Sequence, residues 1–90
     1  MLDEETGVYY TGDKKILLTL YETMILSTLI MNKYRVVTFS ELSKEIYLDE
    51  VTPTIIRRLQ VNVCRIKKKL RGYIKIGKKV KIGYYLDVRY

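Results

Sequence analysis

The sequence predicts a small α+β domain in which three helices lie between two β-hairpins. Apolar residues recur at helical spacing in three stretches. Two of these stretches begin with a threonine that is followed three residues later by a glutamate. The last part of the chain alternates apolar and polar residues around glycines. Ninety residues fit one domain, which we expect over residues 8–90, after a flexible acidic N-terminus over residues 1–7.

A hairpin and a capped helix come first. Two β-prone runs, residues 8–10 and 15–18, flank a Thr-Gly-Asp sequence of the kind that forms turns. Helix 1 is predicted over residues 19–31. Its start is a capping box, in which the Thr19 hydroxyl accepts from the Glu22 amide and the Glu22 carboxylate accepts from the Thr19 amide.

The next two helices are predicted from similar signals. After a short extended segment at residues 35–37, Thr38 and Glu41 form a second capping box at the start of helix 2. Thr52 caps helix 3, Pro53 occupies its first turn, and Gly72 ends it. Its core face is expected to carry four apolar residues spaced four, three and four apart, namely Leu59, Val63, Ile66 and Leu70.

Residues 73–86 predict a second hairpin. Residues 73–76 and 80–82 alternate apolar and polar side chains, which places Gly77-Lys78-Lys79 at the tip. Gly83 indicates a bend or bulge in the returning strand.

Charge is strongly segregated along the chain. Residues 1–52 hold five basic and nine acidic side chains, a balance of −4, whereas residues 53–90 hold twelve basic side chains and one acid, Asp87, a balance of +11. Such a one-sign segment repels itself unless a polyanion neutralises it. Because this segment is also periodic and rich in apolar residues, it is predicted to be a folded surface for nucleic acid.

Three helices followed by a basic hairpin have the order of a winged helix-turn-helix. Helix 3, over residues 52–71, would lie in the major groove of double-stranded DNA, and the hairpin would act as the wing. Arginine and lysine suit phosphates or guanine, amides suit adenine, and valine suits the thymine methyl. The candidate contacts are Arg57, Arg58, Gln60, Val61, Asn62, Arg65 and Lys68 on the helix and Lys78, Lys79 and Lys81 on the hairpin. From the residues alone, Lys67, Lys69 and Arg71 are better interpreted as solvated charge.

Four stretches together resemble the C-terminal DNA-binding domain of the OmpR/PhoB class of bacterial response regulators. The spacing agrees across residues 15–86. The stretches are Leu18-Thr19-Leu20-Tyr21-Glu22, Val36-Val37-Thr38 before Glu41-Leu42, Arg65-Ile66-Lys67-Lys68-Lys69-Leu70, and Ile82-Gly83-Tyr84-Tyr85-Leu86.

This resemblance implies a short N-terminal sheet, three helices, a wing and control of transcription. It places Arg57, Asn62, Arg65 and Lys67 at positions that match contact residues, and it implies head-to-tail pairs on direct repeats. The chain departs from the family in four respects. It has no receiver domain, it has room for about two N-terminal strands rather than four, and Val80 stands where a wing arginine is usual. An early start of helix 3 also shortens the connector that meets RNA polymerase in activators.

Other classes of function are less consistent with the sequence. An enzyme or a cofactor-dependent protein is not expected, because the chain has no histidine, metal-ligand cluster, phosphate-binding glycine loop or nucleophile paired with a base. A plasmid or phage protein for DNA partition, replication or packaging remains an alternative, as does a winged-helix module that binds proteins. The apolar runs are too short for a bilayer and no leader is evident, so we expect a cytoplasmic protein.

Overall fold

The computed structural model describes residues 1–87 as a three-helix layer with a small sheet at each end of the chain. The elements are β1 (Leu2–Asp3), β2 (Val8–Thr11), β3 (Lys14–Leu17), α1 (Leu20–Met31), β4 (Val37–Thr38), α2 (Phe39–Leu42), a π-helical turn (Ser43–Tyr47), α3 (Pro53–Lys69), β5 (Lys75–Lys79) and β6 (Gly83–Asp87). This is the predicted winged helix-turn-helix.

Both sheets are antiparallel and have three strands. The first has the order β1-β2-β3, and its β2–β3 pair is the predicted first hairpin. The second has the order β4-β6-β5, so the short strand before α2 pairs with the second strand of the wing. None of the helices within residues 1–87 has the length and apolar character needed to cross a membrane.

The acidic N-terminal segment, residues 1–7, contributes a strand to the first sheet. Leu2 pairs with Tyr9 and Asp3 pairs with Val8, so β1 adds a third strand to the hairpin. The reason lies in the turn that follows, because the Asp3 carboxylate accepts from the amide of Glu5 at 3.0 Å. The Gly7 amide closes this turn on the Asp3 carbonyl at 2.9 Å.

The helix starts follow the sequence prediction. The Thr19–Glu22 and Thr38–Glu41 capping boxes are both formed, with each hydroxyl accepting from the amide three residues later. The Thr52 hydroxyl accepts from the Ile55 amide at 3.2 Å at the start of α3. These caps satisfy amides that the first helical turn leaves without partners.

The predicted apolar stripe of α3 forms the centre of the core. Each of its four residues is at most 2% exposed: Leu59, Val63, Ile66 and Leu70. They pack with apolar residues of α1, β4, α2 and the wing, which include Ile25, Leu26, Leu29, Val37, Leu42 and Ile76. Burying this stripe leaves the remaining sides of α3 to solvent.

The wing forms where the sequence predicts it, but its tip is displaced. Gly77, Lys78 and Lys79 belong to β5, and the chain reverses at Val80–Ile82 instead. Lys81 adopts a left-handed conformation there, with φ 64°. The predicted tip at residues 77–79 is therefore wrong, because pairing of Lys79 with Gly83 extends the ladder past the glycine.

Gly83 lies where β6 passes closest to β4. A Cβ atom at this position would be 2.0 Å from the Val37 carbonyl oxygen and 2.8 Å from the Thr38 Cα atom. Both atoms belong to backbone that is held in the sheet, so neither can move aside easily. Regular strand pairing here replaces the bend or bulge expected from the sequence.

Gly83→Ala is predicted to lower the free energy of unfolding by about 3 kcal/mol, because the added methyl group overlaps fixed backbone atoms. Urea denaturation followed by circular dichroism measures the change. Gly12→Ala is the control. A Cβ atom at Gly12 would meet no other atom within 4 Å, but the backbone φ there is 53°. The substitution should therefore lower the free energy of unfolding by only about 1 kcal/mol, the cost of a left-handed conformation for alanine. Equal losses in the two variants would contradict the steric explanation.

Candidate nucleic-acid interface

The outer surface of α3 presents the residues predicted to contact DNA. Seven of the eight candidates on this helix are exposed, namely Arg57, Arg58, Gln60, Val61, Arg65, Lys67 and Lys68. Asn62 is half-buried. These side chains point outward because the apolar stripe is fixed against α1, so the packing of the core determines which face of α3 is offered to a partner.

The cations of this surface have no anionic partners in the described part of the chain. Within residues 1–87, ion pairs engage Lys69 with Glu22, Arg35 with Glu41 and Lys75 with Asp87. None of them engages a cation proposed for DNA binding. The cations proposed to contact DNA are therefore not neutralised by neighbouring carboxylates, whereas Lys69 of α3 and Lys75 of the wing are paired.

Asn62 is partly committed to contacts within the protein. Its Nδ2 donates to the Arg58 carbonyl oxygen at 2.9 Å, and its side chain acts to lower the pKa of the Tyr47 hydroxyl. A bidentate pair with adenine uses both the amide oxygen and the amide nitrogen. Asn62 would have to rearrange to read a base in this way, whereas Gln60 is exposed and has no side-chain hydrogen bond to any of residues 1–87.

Tyr47 connects the helix-turn-helix to the start of α1. Its ring stacks on that of Tyr21 with centroids 5.2 Å apart and an interplanar angle of 25°. Burial raises the pKa of the Tyr47 hydroxyl above its ordinary value, with a further increase from Tyr21. Arg58 and Asn62 act in the opposite direction. The hydroxyl therefore stays protonated at neutral pH.

The lysines of the wing are exposed, but they do not form one cluster. Lys78 and Lys79 are neighbours in β5, so their side chains leave opposite faces of the hairpin. Lys79 borders a groove with Lys33 and Arg35, from the loop that follows α1. Lys81 is in the turn and lies farthest along the wing.

Lys69 is not solvated charge, which corrects the sequence interpretation for this residue. Its Nζ donates to Glu22 Oε1 at 2.6 Å, and the Glu22 side chain is fully buried. The same carboxylate oxygen accepts from the Thr19 amide at 3.0 Å. Glu22 Oε2 has no hydrogen-bond partner within residues 1–87. The signal available in the sequence was the position of Glu22 on the same helical face as Ile25, Leu26 and Leu29.

A groove of about 730 Å³ lies between the end of α3 and the start of β5. Its lining includes Cys64 and Tyr73. Four cationic side chains also line it, those of Lys67, Lys68, Arg71 and Lys75. It extends the positive surface from the helix towards the wing. Among residues 1–87, no group of histidine, cysteine, aspartate or glutamate side chains is placed to hold a metal ion.

A helix that is apolar towards the core and basic towards solvent, preceded by a capped short helix and followed by a wing, defines the winged-helix class of DNA-binding domains. The family model described as "Transcriptional regulatory protein, C terminal" matches residues 13–86. The chain belongs to this family, the OmpR/PhoB-type DNA-binding domains, which bind specific DNA sequences and regulate transcription. No curated protein sequence matches the chain significantly.

Solved structures support the same assignment. The C-terminal domain of the nisin resistance regulator NsrR, a lantibiotic response regulator, is 28% identical, with a TM-score of 0.79 over 96% of this chain and 88% of that chain. The DNA-binding domain of the response regulator AdeR, solved in complex with an intercistronic region, is 26% identical, with a TM-score of 0.78 over 97% and 92%. The DNA-binding domain of Bacillus subtilis CssR has the same fold, with a TM-score of 0.83 over 97% and 98% at 19% identity.

Lys69→Met is predicted to lower the free energy of unfolding by about 3 kcal/mol, since it leaves the buried Glu22 carboxylate without a cation. Lys67→Met is the matched control. It removes the same charge from an exposed neighbour on the same helix and should change stability by less than about 0.5 kcal/mol. Urea denaturation of both variants tests this, and similar stabilities would show that the ion pair is not structurally important.

Proposed function

We propose that the chain binds duplex DNA in the cytoplasm with the outer face of α3 in the major groove and the β5–β6 hairpin as a wing on the adjacent backbone. The observation that carries this proposal is the outer face of α3, which is exposed and basic and has no carboxylate. The proposal extends the family assignment to the mode of binding and to particular residues.

The spacing of residues on α3 suits readout of base edges. Arg57, Val61 and Arg65 follow one another at four-residue intervals, so they lie about 6 Å apart along one side of the helix. A helix fits the major groove of B-DNA, where every base pair presents a distinct pattern of donors and acceptors. The two guanidinium groups can each pair with a guanine edge, and the valine between them can contact a thymine methyl group.

The other cations of the helix are suited to phosphates. Arg58 and Lys67 lie to either side of this line, Lys68 continues it beyond Arg65, and all three are exposed. Phosphate contacts from such flanking residues fix the orientation of a protein on DNA without reading its sequence. Gln60 is the amide best placed to read adenine, because Asn62 already donates to the Arg58 carbonyl oxygen and is half-buried.

The wing would add contacts to the backbone next to the site of α3. Lys81 is the cation in its turn, and Lys78 and Lys79 leave opposite faces of β5. Because their side chains lie on opposite faces of the strand, only one of Lys78 and Lys79 can contact the same DNA backbone as Lys81. Support for duplex binding as such comes from AdeR, whose domain has been solved with DNA.

Tandem binding and contact with RNA polymerase complete the proposal. The family resemblance implies two copies in head-to-tail order on direct repeats.

The connector between α2 and α3 offers a polymerase contact, in which Leu48 is 86% exposed and is followed by Asp49 and Glu50. The Ser43 hydroxyl donates to the Asp49 carbonyl at 2.8 Å and so holds this connector against the π-helical turn.

Arg65→Ala is predicted to weaken binding to the preferred duplex by about 1–3 kcal/mol and to relax discrimination at one base pair, because a bidentate contact to guanine is lost. Selection from a random DNA pool identifies the duplex, and fluorescence anisotropy measures the affinity. Lys14→Ala removes the same charge from the N-terminal sheet and serves as the control. Unchanged affinity of the Arg65 variant would exclude this face of α3 from recognition.

Lys81→Ala is predicted to weaken binding to all duplexes by a similar factor, since a phosphate contact carries no sequence information. The slope of log K against log salt concentration should become shallower by about 1. Titrations at several salt concentrations, on preferred and random duplexes, give both quantities. A loss confined to the preferred duplex would instead identify Lys81 as a reader of bases.

A further inference from the structure

Helix α1 has a second apolar face that the domain does not cover. Its inner side buries Ile25, Leu26 and Leu29 in the core. Its outer side carries Leu20 and Met31, which are 72% and 80% exposed. A helix that is apolar on both sides is normally covered on both sides. The outer face of α1 therefore has the character of a surface that receives a partner.

This outer face forms a groove of about 350 Å³. Leu20, Met24 and Met31 line it along the helix, and the buried residues Thr23 and Ile46 contribute to its lining. The small side chains of Ser27 and Thr28 lie between the methionines, so the surface is recessed there. From Leu20 to Met31 the groove is about 16 Å long, which is the length of three turns of a docked helix.

The charged residues that line the groove are acidic. Glu4 comes from the turn after β1, and Glu45 comes from the π-helical turn. The Ser27 hydroxyl donates to Glu4 Oε1, which holds this carboxylate beside the groove. No lysine or arginine of the described residues lines the groove. This is a local exception in a chain whose net charge is +7.

We propose that the groove binds an amphipathic helix of a partner protein, with an apolar stripe against α1 and with lysine or arginine residues beside that stripe, facing Glu4 and Glu45. Helices recognised in this way present apolar residues at helical spacing to an apolar groove. Methionine side chains adapt to different apolar surfaces, so Met24 and Met31 suit such a contact.

A second copy of this chain does not fit the groove equally well. Two grooves placed face to face would bring the carboxylates of one copy against those of the other. The basic helix α3 of a second copy cannot insert its apolar stripe, because Leu59, Val63 and Ile66 are buried in its own core. A basic amphipathic helix from another protein satisfies both the apolar and the charged parts of the surface.

The groove would remain accessible while the domain is bound to DNA. The core side of α1 packs on the core side of α3. The outer face of α1 and the outer face of α3 are thus directed away from each other. The inferred partner is one that joins the DNA-bound regulator without competing for DNA.

The test uses the whole chain and a fluorescein-labelled helical peptide of about 14 residues, made of leucine and lysine in an amphipathic pattern. Fluorescence anisotropy at physiological salt should show saturable binding. The same peptide with glutamate in place of lysine should not bind. If the lysine peptide does not bind, the proposal is wrong, because this peptide carries both the apolar stripe and the basic residues that the groove is proposed to recognise.

Leu20→Ser combined with Met31→Ser should weaken peptide binding by about tenfold, because both apolar ends of the groove are removed. Tyr34→Ser combined with Val80→Ser is the matched control. It removes two apolar side chains that are 84% and 71% exposed and that do not line the groove, and it should leave peptide affinity unchanged. Equal peptide affinity in both double variants would overturn the proposal.

Glu4→Gln combined with Glu45→Gln tests the charged rim independently of the apolar groove. It should weaken binding by about fivefold at low salt and reduce the salt dependence of binding. The Leu20/Met31 variant should also keep its affinity for duplex DNA within about twofold, which confirms that it is folded. If sedimentation shows a dimer of the unmodified chain that this variant abolishes, the occupant is a second copy and the proposal is wrong.

Discussion

The buried carboxylate of Glu22 is the constraint on which the arrangement of the helices depends. A buried carboxylate is stable only when it is hydrogen-bonded or paired with a cation. Glu22 meets this requirement with the Thr19 amide on its own helix and with Lys69 at the far end of α3. The start of α1 and the end of α3 must therefore come together, and this contact fixes the rotation of α3 about its axis together with the buried apolar stripe.

That rotation separates the three consecutive lysines at the end of α3. Successive residues of a helix point about 100° apart, so a single direction cannot serve all three. Lys69 faces Glu22, while Lys67 and Lys68 face solvent beside the groove that leads to the wing. The three consecutive lysines thus have two different roles: Lys69 forms an ion pair within the protein, and the other two are exposed cations. A count of positive residues does not separate these roles.

Local chemistry accounts for the parts of the fold that could be predicted from the sequence. The two capping boxes depend on residues three apart, and the stripe from Leu59 to Leu70 depends on helical periodicity, so both are visible in a single segment. The pairing of β1 and the register of the wing depend on strands that meet only after folding. In the candidate site, exposure of Arg57 and Arg65 followed from periodicity, whereas Glu22, the partner of Lys69, lies on another element.

Strand β4 joins the wing to the helix-turn-helix. The Phe39 amide, at the start of α2, donates to the Ile82 carbonyl in the turn of the wing at 2.9 Å, and the Phe39 and Tyr84 rings meet edge to face. These contacts hold the wing against α2, and under the proposed binding mode they set the span between α3 and the wing. A duplex whose groove width does not match that span has to deform, and stiff and pliable sequences deform at different cost. Base pairs that no side chain touches would then contribute to the choice of operator.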